Sequence, residues 1–159
     1  MLGKVKLFFG IEGLKVYLEI PESFSIRDKV IKGVVKLHSK SDQTLKKLDI
    51  KLIETYQRGR RTDKRTNDYI CGKIELNESI LIPANGEKVI DFNLPYQLQF
   101  SSIEKLGQKS IVHQRITDLA KWVNNAKSDF HVEVSAQVEG TALNPSLRKP
   151  IILSMEKSK

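Results

Sequence analysis

The sequence predicts an all-β fold, an antiparallel β-sandwich with one inserted amphipathic helix. Apolar and polar residues alternate along many short segments, turn residues separate these segments, and helical spacing occurs in only one place. Alternation with a period of two places one face of a strand in a core and the other in water, whereas a helix would scatter the same positions around its axis. Because strands do not alternate with helices along the chain, a βαβ fold is not expected.

Two strands are predicted before the clearest part of the pattern. The first begins at Val5 and ends at Gly10. The second covers residues 14–20, where apolar residues occupy every second position. Pro21 ends this strand because proline has no amide hydrogen to donate to a ladder.

The clearest strands lie within residues 25–56. One face of the first carries Ile31, Gly33, Val35 and Leu37, and one face of the second carries Leu48, Ile50 and Leu52. The turn between them, residues 39–43, is short and polar, so the two segments are predicted to pair as an antiparallel hairpin. Because Gly33 lies on the inward face without a side chain, another chain segment is expected to approach it closely.

The middle of the chain predicts three further strands. Apolar residues and a glycine alternate at Ile70, Gly72, Ile74 and Leu76, and residues 80–82 form a short apolar run. The sequence of residues 83–86, Pro-Ala-Asn-Gly, is a strong turn signal. After this turn, Ile90, Phe92 and Leu94 make another inward face that Pro95 closes.

The period changes from two to about 3.6 between residues 109 and 125. The apolar residues there are spaced by three and four: Ile111, Val112, Ile116, Leu119, Ala120 and Val123. This stripe predicts the single amphipathic helix, packed on the sheet. Alternation then resumes in residues 132–138 and 151–155, which predict the closing strands.

Length and composition favour one domain spanning residues 1–159, long enough to bury a core. The single cysteine, Cys71, cannot form an internal disulfide. The first residues interrupt their apolar run with charges, unlike a signal peptide, and no stretch approaches the about 20 apolar residues of a membrane span. These features predict a cytoplasmic protein without a transmembrane segment.

The residues that commonly carry chemistry are few and dispersed. His38, His113 and His131 fall in different predicted elements and lack the spacing of metal ligands. The chain has no phosphate-binding loop and no nucleophile elbow, and Cys71 is interpreted as a structural thiol. We therefore expect no catalytic residues, no metal, no cofactor and no small-molecule substrate.

A basic segment at residues 58–65 is the most conspicuous local feature. It holds five cationic residues against one aspartate: Arg58, Arg60, Arg61, Lys64 and Arg65. Clustered guanidinium groups suit recognition of carboxylates or phosphates through bidentate hydrogen bonds, which predicts a partner-binding site. A flexible solubilising loop is the other interpretation, and the sequence leaves both open. The net charge of +8 favours acidic partners without choosing among protein, nucleic acid and anionic lipid.

Two segments resemble the arrestin-like family. Residues 28–35, Asp-Lys-Val-Ile-Lys-Gly-Val-Val, resemble the arrestin-fold signature of glycine, acid and spaced apolar residues around a second glycine. Here Asp28 stands at the first glycine and Lys29 at the acid, while Gly33 matches. Residues 132–138, followed by Asn144-Pro145 where an Asp-Pro motif is usual, resemble the closing strands of the bacterial sporulation-control branch.

The resemblance implies a sandwich of the arrestin or immunoglobulin type that serves as a cytoplasmic protein-interaction adaptor, scaffold or regulator. Arrestin-like proteins generally carry two such sandwiches, and this chain has the length of one. Phosphate sensing is not implied, because Lys4 and Lys6 are not an adjacent basic pair. The expected partner is a protein with an acidic surface. The alternative is an electrostatic binder of nucleic acid or anionic lipid.

Overall fold

The computed structural model describes residues 2–3, 9–11, 13–25, 27–58, 65–98, 128–141 and 144–154. Within these residues the secondary structure is β, without a helix. The strands are β1 (Leu2–Gly3), β2 (Phe9–Ile11), β3 (Leu14–Pro21), β4 (Ser23–Ser25), β5 (Val30–Ser39), β6 (Gln43–Arg58), β7 (Arg65–Leu76), β8 (Ile80–Ile82), β9 (Glu87–Pro95), β10 (Ser128–Val138) and β11 (Ser146–Ser154). The helix predicted between residues 109 and 125 lies outside the described residues.

The strands form two sheets. In the first sheet the order is β1-β3-β5-β9, and β2 also pairs with β3. In the second sheet the order is β4-β11-β10-β6-β7, and β8 also pairs with β6. The all-β prediction is therefore confirmed for the part of the chain that the structure describes.

One strand pairing departs from the predicted antiparallel arrangement. β4 pairs with β11 in parallel, from Ser23 opposite Ile152 to Ser25 opposite Ser154. β4 follows β3 after the single residue Glu22, which leaves no room for the chain to reverse its direction. The second sheet is therefore mixed, and the prediction of purely antiparallel sheets is wrong at this pair.

The predicted hairpin between residues 29–38 and 47–54 is also wrong. β5 pairs with β3 and β9 in the first sheet, whereas β6 pairs with β7, β8 and β10 in the second. The polar turn between them crosses from one sheet to the other. Ser39 fixes this crossing: its hydroxyl donates to the Ser41 carbonyl at 2.6 Å, and its carbonyl accepts from the Asn85 amide at 2.7 Å.

Among the described residues, one hydrophobic cluster receives side chains from both sheets. Fully buried side chains of the first sheet include Leu18, Val35 and Leu94, and those of the second include Leu48, Leu52 and Val132. Burial alternates strictly along β3 and along most of β10, as the sequence period predicts. The period therefore identified the inward faces of these strands correctly.

Gly33 lies on the inward face, where a side chain would collide with its neighbours. A Cβ at this position would lie 2.8 Å from the carbonyl oxygen of Glu19 and closer still to the ring of Phe92. Phe92 is opposite Gly33 in the register of β5 and β9. The predicted close approach is confirmed, since an aromatic ring fills the space above the glycine.

β7 contains an irregularity that changes which side chains face inward. Leu52 pairs with Gly72 but Ile53 pairs with Ile70, so Cys71 is an extra residue on β7. This bulge turns the Cys71 side chain into the core and leaves Ile70 half exposed. The inward position predicted for Ile70 is therefore wrong, while the structural interpretation of Cys71 agrees with its burial.

Candidate functional site

The predicted basic segment is the connection between β6 and β7. Arg58 ends β6, Arg65 begins β7, and the two residues lie opposite each other in the antiparallel register. Arg60, Arg61 and Lys64 lie outside the described residues. Arg58 and Arg65 thus lie at one end of a long two-stranded ladder, and we call residues 58–65 the basic hairpin end. Their role in binding stays a prediction.

The ladder that carries the basic hairpin end extends beyond the neighbouring strand. β10, as described, pairs with β6 from Ser128 opposite Tyr56 onward, whereas β6 and β7 continue to Arg58 opposite Arg65. Just before this extension the Thr55 hydroxyl donates to the Asp68 carboxylate across the hairpin at 2.7 Å. The structure thus places Arg58 and Arg65 on a two-stranded projection from the described sheet.

Many cationic side chains on the sheet faces are neutralised by nearby acids. Lys36 Nζ lies 2.7 Å from Glu19 Oε1, and Arg148 Nε lies 2.6 Å from Glu133 Oε2. On the outer face of the second sheet, further ion pairs join Lys47 to Asp49 and Glu75, and Lys73 to Glu75. These compensated charges contrast with the basic hairpin end, where the sequence supplies one aspartate for five cations.

A polar groove lies on the outer face of the first sheet. Its volume is about 440 Å³, and its lining residues come from β3, β5 and β9: Lys15, Tyr17, Glu19, Lys36, His38 and Glu87. The hydrogen bond to Glu19 raises the pKa of Lys36, and the charge of Glu19 adds to this effect. The groove is lined by both cations and carboxylates, so its charge is mixed.

A buried carboxylate occupies the inward face of β6 near its end. Glu54 is 1% exposed, its Oε1 accepts a hydrogen bond from the Ser128 hydroxyl at 2.9 Å, and its Oε2 is buried without a hydrogen-bond partner among the described residues. Burial raises the pKa of Glu54, and the Ser128 hydrogen bond lowers it by a smaller amount. Enclosure of this kind disfavours the charged form of a carboxyl group relative to water.

Tyr96 joins the two sheets close to this carboxylate-bearing end. The Tyr96 hydroxyl donates to the Ser25 carbonyl, and its ring meets the edge of Phe24 at a centroid distance of 5.2 Å. Phe24 also packs against Phe130 at 5.3 Å. Burial and the charge of Asp28 raise the pKa of Tyr96 to about 12, so its hydroxyl stays a hydrogen-bond donor at neutral pH.

Metal-ligating residues do not cluster in the part of the chain that the structure describes: no group of three or more His, Cys, Asp or Glu side chains could hold an ion. His38 is on the first sheet and His131 on the second, while His113 is outside the described residues.

Among the described residues, no helix is long and apolar enough to cross a membrane.

Comparison with protein families decides the family of this chain. A model of the Spo0M family, described as SpoOM protein, matches residues 2–140. The chain belongs to the Spo0M family. The resemblance to the bacterial sporulation-control family is thereby confirmed, and residues 28–35 and 132–138 both lie within the matched range. No curated protein matches the chain significantly.

A solved structure of the Spo0M family shares the fold. The chain resembles the crystal structure of Spo0M, the sporulation control protein from Bacillus subtilis, with a TM-score of 0.63 and 16% sequence identity. The match covers 94% of this chain and 51% of that chain, so the present chain spans about half the length of its relative. At this identity the similarity concerns the fold alone.

Sequence reasoning did not find the buried polar residues of this Spo0M-family chain. Glu54 stands in a segment of charged and apolar residues, and its inward direction follows only from its position two residues after Leu52. Lys149 is likewise buried, between Leu147 and Ile151 on the inward face of β11. Strict counting in steps of two from the neighbouring apolar residues would have identified both.

Proposed function

We propose that the chain is a non-catalytic, cytoplasmic regulator of the Spo0M type that acts by binding another protein. Membership of the family, based on the match over residues 2–140, is the observation that supports this proposal. The similar structure belongs to a protein whose description is sporulation control. A regulator that works by binding needs an interaction surface and a stable scaffold.

We also infer that the two sheets face each other as a β-sandwich of one domain, with the predicted helix inserted between β9 and β10. The hydrophobic cluster shared by both sheets supports this arrangement. Denaturation should then give one cooperative transition, as expected for a one-core domain, and circular dichroism should show mostly β signal with a minor helical part. Two separate transitions would contradict the one-domain arrangement.

The proposed partner-binding surface is the basic hairpin end. Arg58 and Arg65 stand opposite each other where the described β6–β7 ladder ends. Charges at such a position increase the rate of encounter with an acidic partner and contribute specificity. The sequence of this segment supplies five cations and one aspartate, which makes it a concentrated source of positive charge.

The test compares two charge-reversed variants as baits in a native-host lysate. Arg60→Glu with Arg61→Glu changes the hairpin end, and Lys29→Glu with Lys40→Glu makes the same change of charge at exposed residues elsewhere. We expect the first variant to capture the partner several-fold less well at low salt, and the control to resemble the parent. Melting temperatures should be nearly unchanged. Arg115 and Lys121 are charged residues of the predicted helix. If the first variant captures the partner fully and Arg115→Glu with Lys121→Glu abolishes capture, the binding surface is the predicted helix instead.

The second candidate function is electrostatic binding of nucleic acid or anionic lipid. The net charge of +8 and the basic hairpin end favour it. Binding to duplex DNA weakens steeply with added salt because bound cations are released from the phosphates. Direct titration with duplex DNA and with vesicles containing anionic lipid distinguishes the candidates. Tight binding that disappears with salt, together with salt-sensitive capture, would favour this second function.

A further inference from the structure

β9 forms an edge of the first sheet. In the described part of the chain it pairs only with β5, in a register without a shift from Val30 opposite Pro95 to His38 opposite Glu87. An edge strand presents peptide groups that are available to another strand. Which residues present them depends on the phase of the ladder between β5 and β9.

Two backbone hydrogen bonds fix this phase. At one end of the ladder the Tyr96 amide donates to the Lys29 carbonyl at 3.0 Å, and at the other end the Ser39 amide donates to the Gly86 carbonyl at 3.3 Å. In an antiparallel ladder, hydrogen-bonded and non-hydrogen-bonded residue pairs alternate. Even-numbered residues of β9 therefore bond to β5, while odd-numbered residues direct their amide and carbonyl groups away from it.

The odd-numbered residues that face away are Glu87, Val89, Asp91 and Asn93, and all four are exposed. The same positions of β9 alternate with Phe92 and Leu94, which are buried. The outer side chains at this edge thus form an acidic, apolar, acidic series at Glu87, Val89 and Asp91. Val89 is 48% exposed, so its side chain is accessible to a strand that pairs with this edge.

We propose that the β9 edge binds an extended segment of a partner protein as an additional strand of the first sheet. The segment carries a basic, apolar, basic series at alternate positions, so that its basic residues lie beside Glu87 and Asp91 and its apolar residue covers Val89. Backbone hydrogen bonds supply affinity in this mode of recognition, and the side chains supply specificity. Opposite charges and apolar contacts between neighbouring strands stabilise such a pair.

The charge of the edge favours a different protein over a second copy of this chain. Pairing of two β9 edges would bring Glu87 and Asp91 of both copies along one ribbon, and like charges on neighbouring strands destabilise it. Pro95 has no amide hydrogen, so the ladder ends there. The edge therefore selects a short segment of opposite charge. This surface is separate from the basic hairpin end, and the inference rests on the proposed function only in that the partner is a protein.

The test uses a synthetic peptide with the central sequence Lys-Thr-Val-Thr-Lys and a control with Glu-Thr-Val-Thr-Glu. Hydrogen exchange is measured on the intact chain with and without each peptide. We expect the basic peptide to slow exchange of the Val89, Asp91 and Asn93 amides several-fold, and the acidic peptide to leave them unchanged. Unchanged exchange at β9, or protection at β7 instead, would overturn the proposal.

Charge reversal at the edge gives a second, independent measurement. Glu87→Lys with Asp91→Lys should weaken binding of the basic peptide several-fold and strengthen binding of the acidic one, measured by fluorescence anisotropy. Glu78→Lys with Asp129→Lys is the matched control, because both residues are exposed away from β9. Equal binding of both peptides to parent and edge variant would refute the proposed specificity. Arg60→Glu with Arg61→Glu should leave peptide binding intact, which separates this inference from the proposed function.

Discussion

Gly33 shows how one residue can be fixed by its neighbours in two strands. The Glu19 carbonyl belongs to the backbone of β3 and cannot move independently of the sheet, whereas the Phe92 ring can rotate. Any added side chain must therefore displace backbone as well as a ring. The glycine is required by the space that β3 and β9 leave on β5.

Replacing Gly33 by valine should reduce the free energy of unfolding by roughly 1–3 kcal/mol, the usual cost of overpacking a core. Lys32→Val is the matched control, since Lys32 is the exposed neighbour on the same strand and gains the same side chain. Its effect should stay within about 0.5 kcal/mol. Urea unfolding of both variants measures the difference. If Gly33→Val is as stable as the parent, the Glu19 carbonyl and the Phe92 ring can move aside without loss of stability.

At the scale of elements, the sequence determined the faces of strands more reliably than their partners. The alternation in β3, β5 and β10 predicts their buried residues because burial depends on the local side-chain period. The pairing of β5 with β9 joins segments far apart in sequence, and local periodicity carries no information about it. The short turn after β5 was compatible with a hairpin and with a crossing between sheets.

Ser39→Ala tests the crossing between β5 and β6. The buried Ser39 hydroxyl donates to the Ser41 carbonyl and accepts from the Ser41 amide at 3.3 Å, so its loss leaves two backbone groups without this partner. The free energy of unfolding should fall by about 1 kcal/mol. Ser41→Ala, at an exposed position, is the control and should have a smaller effect. If the two alanine variants unfold at the same urea concentration, the hydroxyl of Ser39 does not stabilise the crossing.

The candidate site was predictable to a smaller extent than the fold. The basic composition of residues 58–65 is visible in the sequence, and the structure adds that Arg58 and Arg65 stand opposite each other. The outward peptide groups of β9 could not be predicted, since they depend on the identity and phase of its single described neighbour. The bulge at Cys71 likewise arises from the register with β6 and has no local signal.

At the scale of the whole molecule, Glu54 makes stability depend on pH. Because its pKa is raised in the folded state, the folded protein holds a proton that the unfolded chain releases, and stability falls as pH rises from the ordinary carboxyl range through the raised pKa. Glu54→Gln removes this titration. The variant should therefore gain stability relative to the parent as pH rises above the ordinary carboxyl range.

Urea midpoints of parent and Glu54→Gln across this pH range measure the effect. Glu78→Gln, which removes a carboxylate at an exposed position, is the control and should follow the parent. His131 contributes in the opposite direction, because burial and the charge of Arg148 lower its pKa and its contribution rises with pH through the ordinary histidine range. Parallel curves for both glutamine variants would show that the Glu54 carboxylate is stabilised by groups other than Ser128.

The rate at which the Cys71 thiol reacts with a reagent can measure local opening of the second sheet. Cys71 is the only cysteine of the chain, and the bulge turns it into the core, where it is 6% exposed. A thiol reagent can modify it only when β7 separates from its surroundings, so the labelling rate reports how often that opening occurs. The natural sequence thus carries a single chemical probe, next to Gly72 at its close approach to the Pro95 carbonyl, for timing the opening of β7.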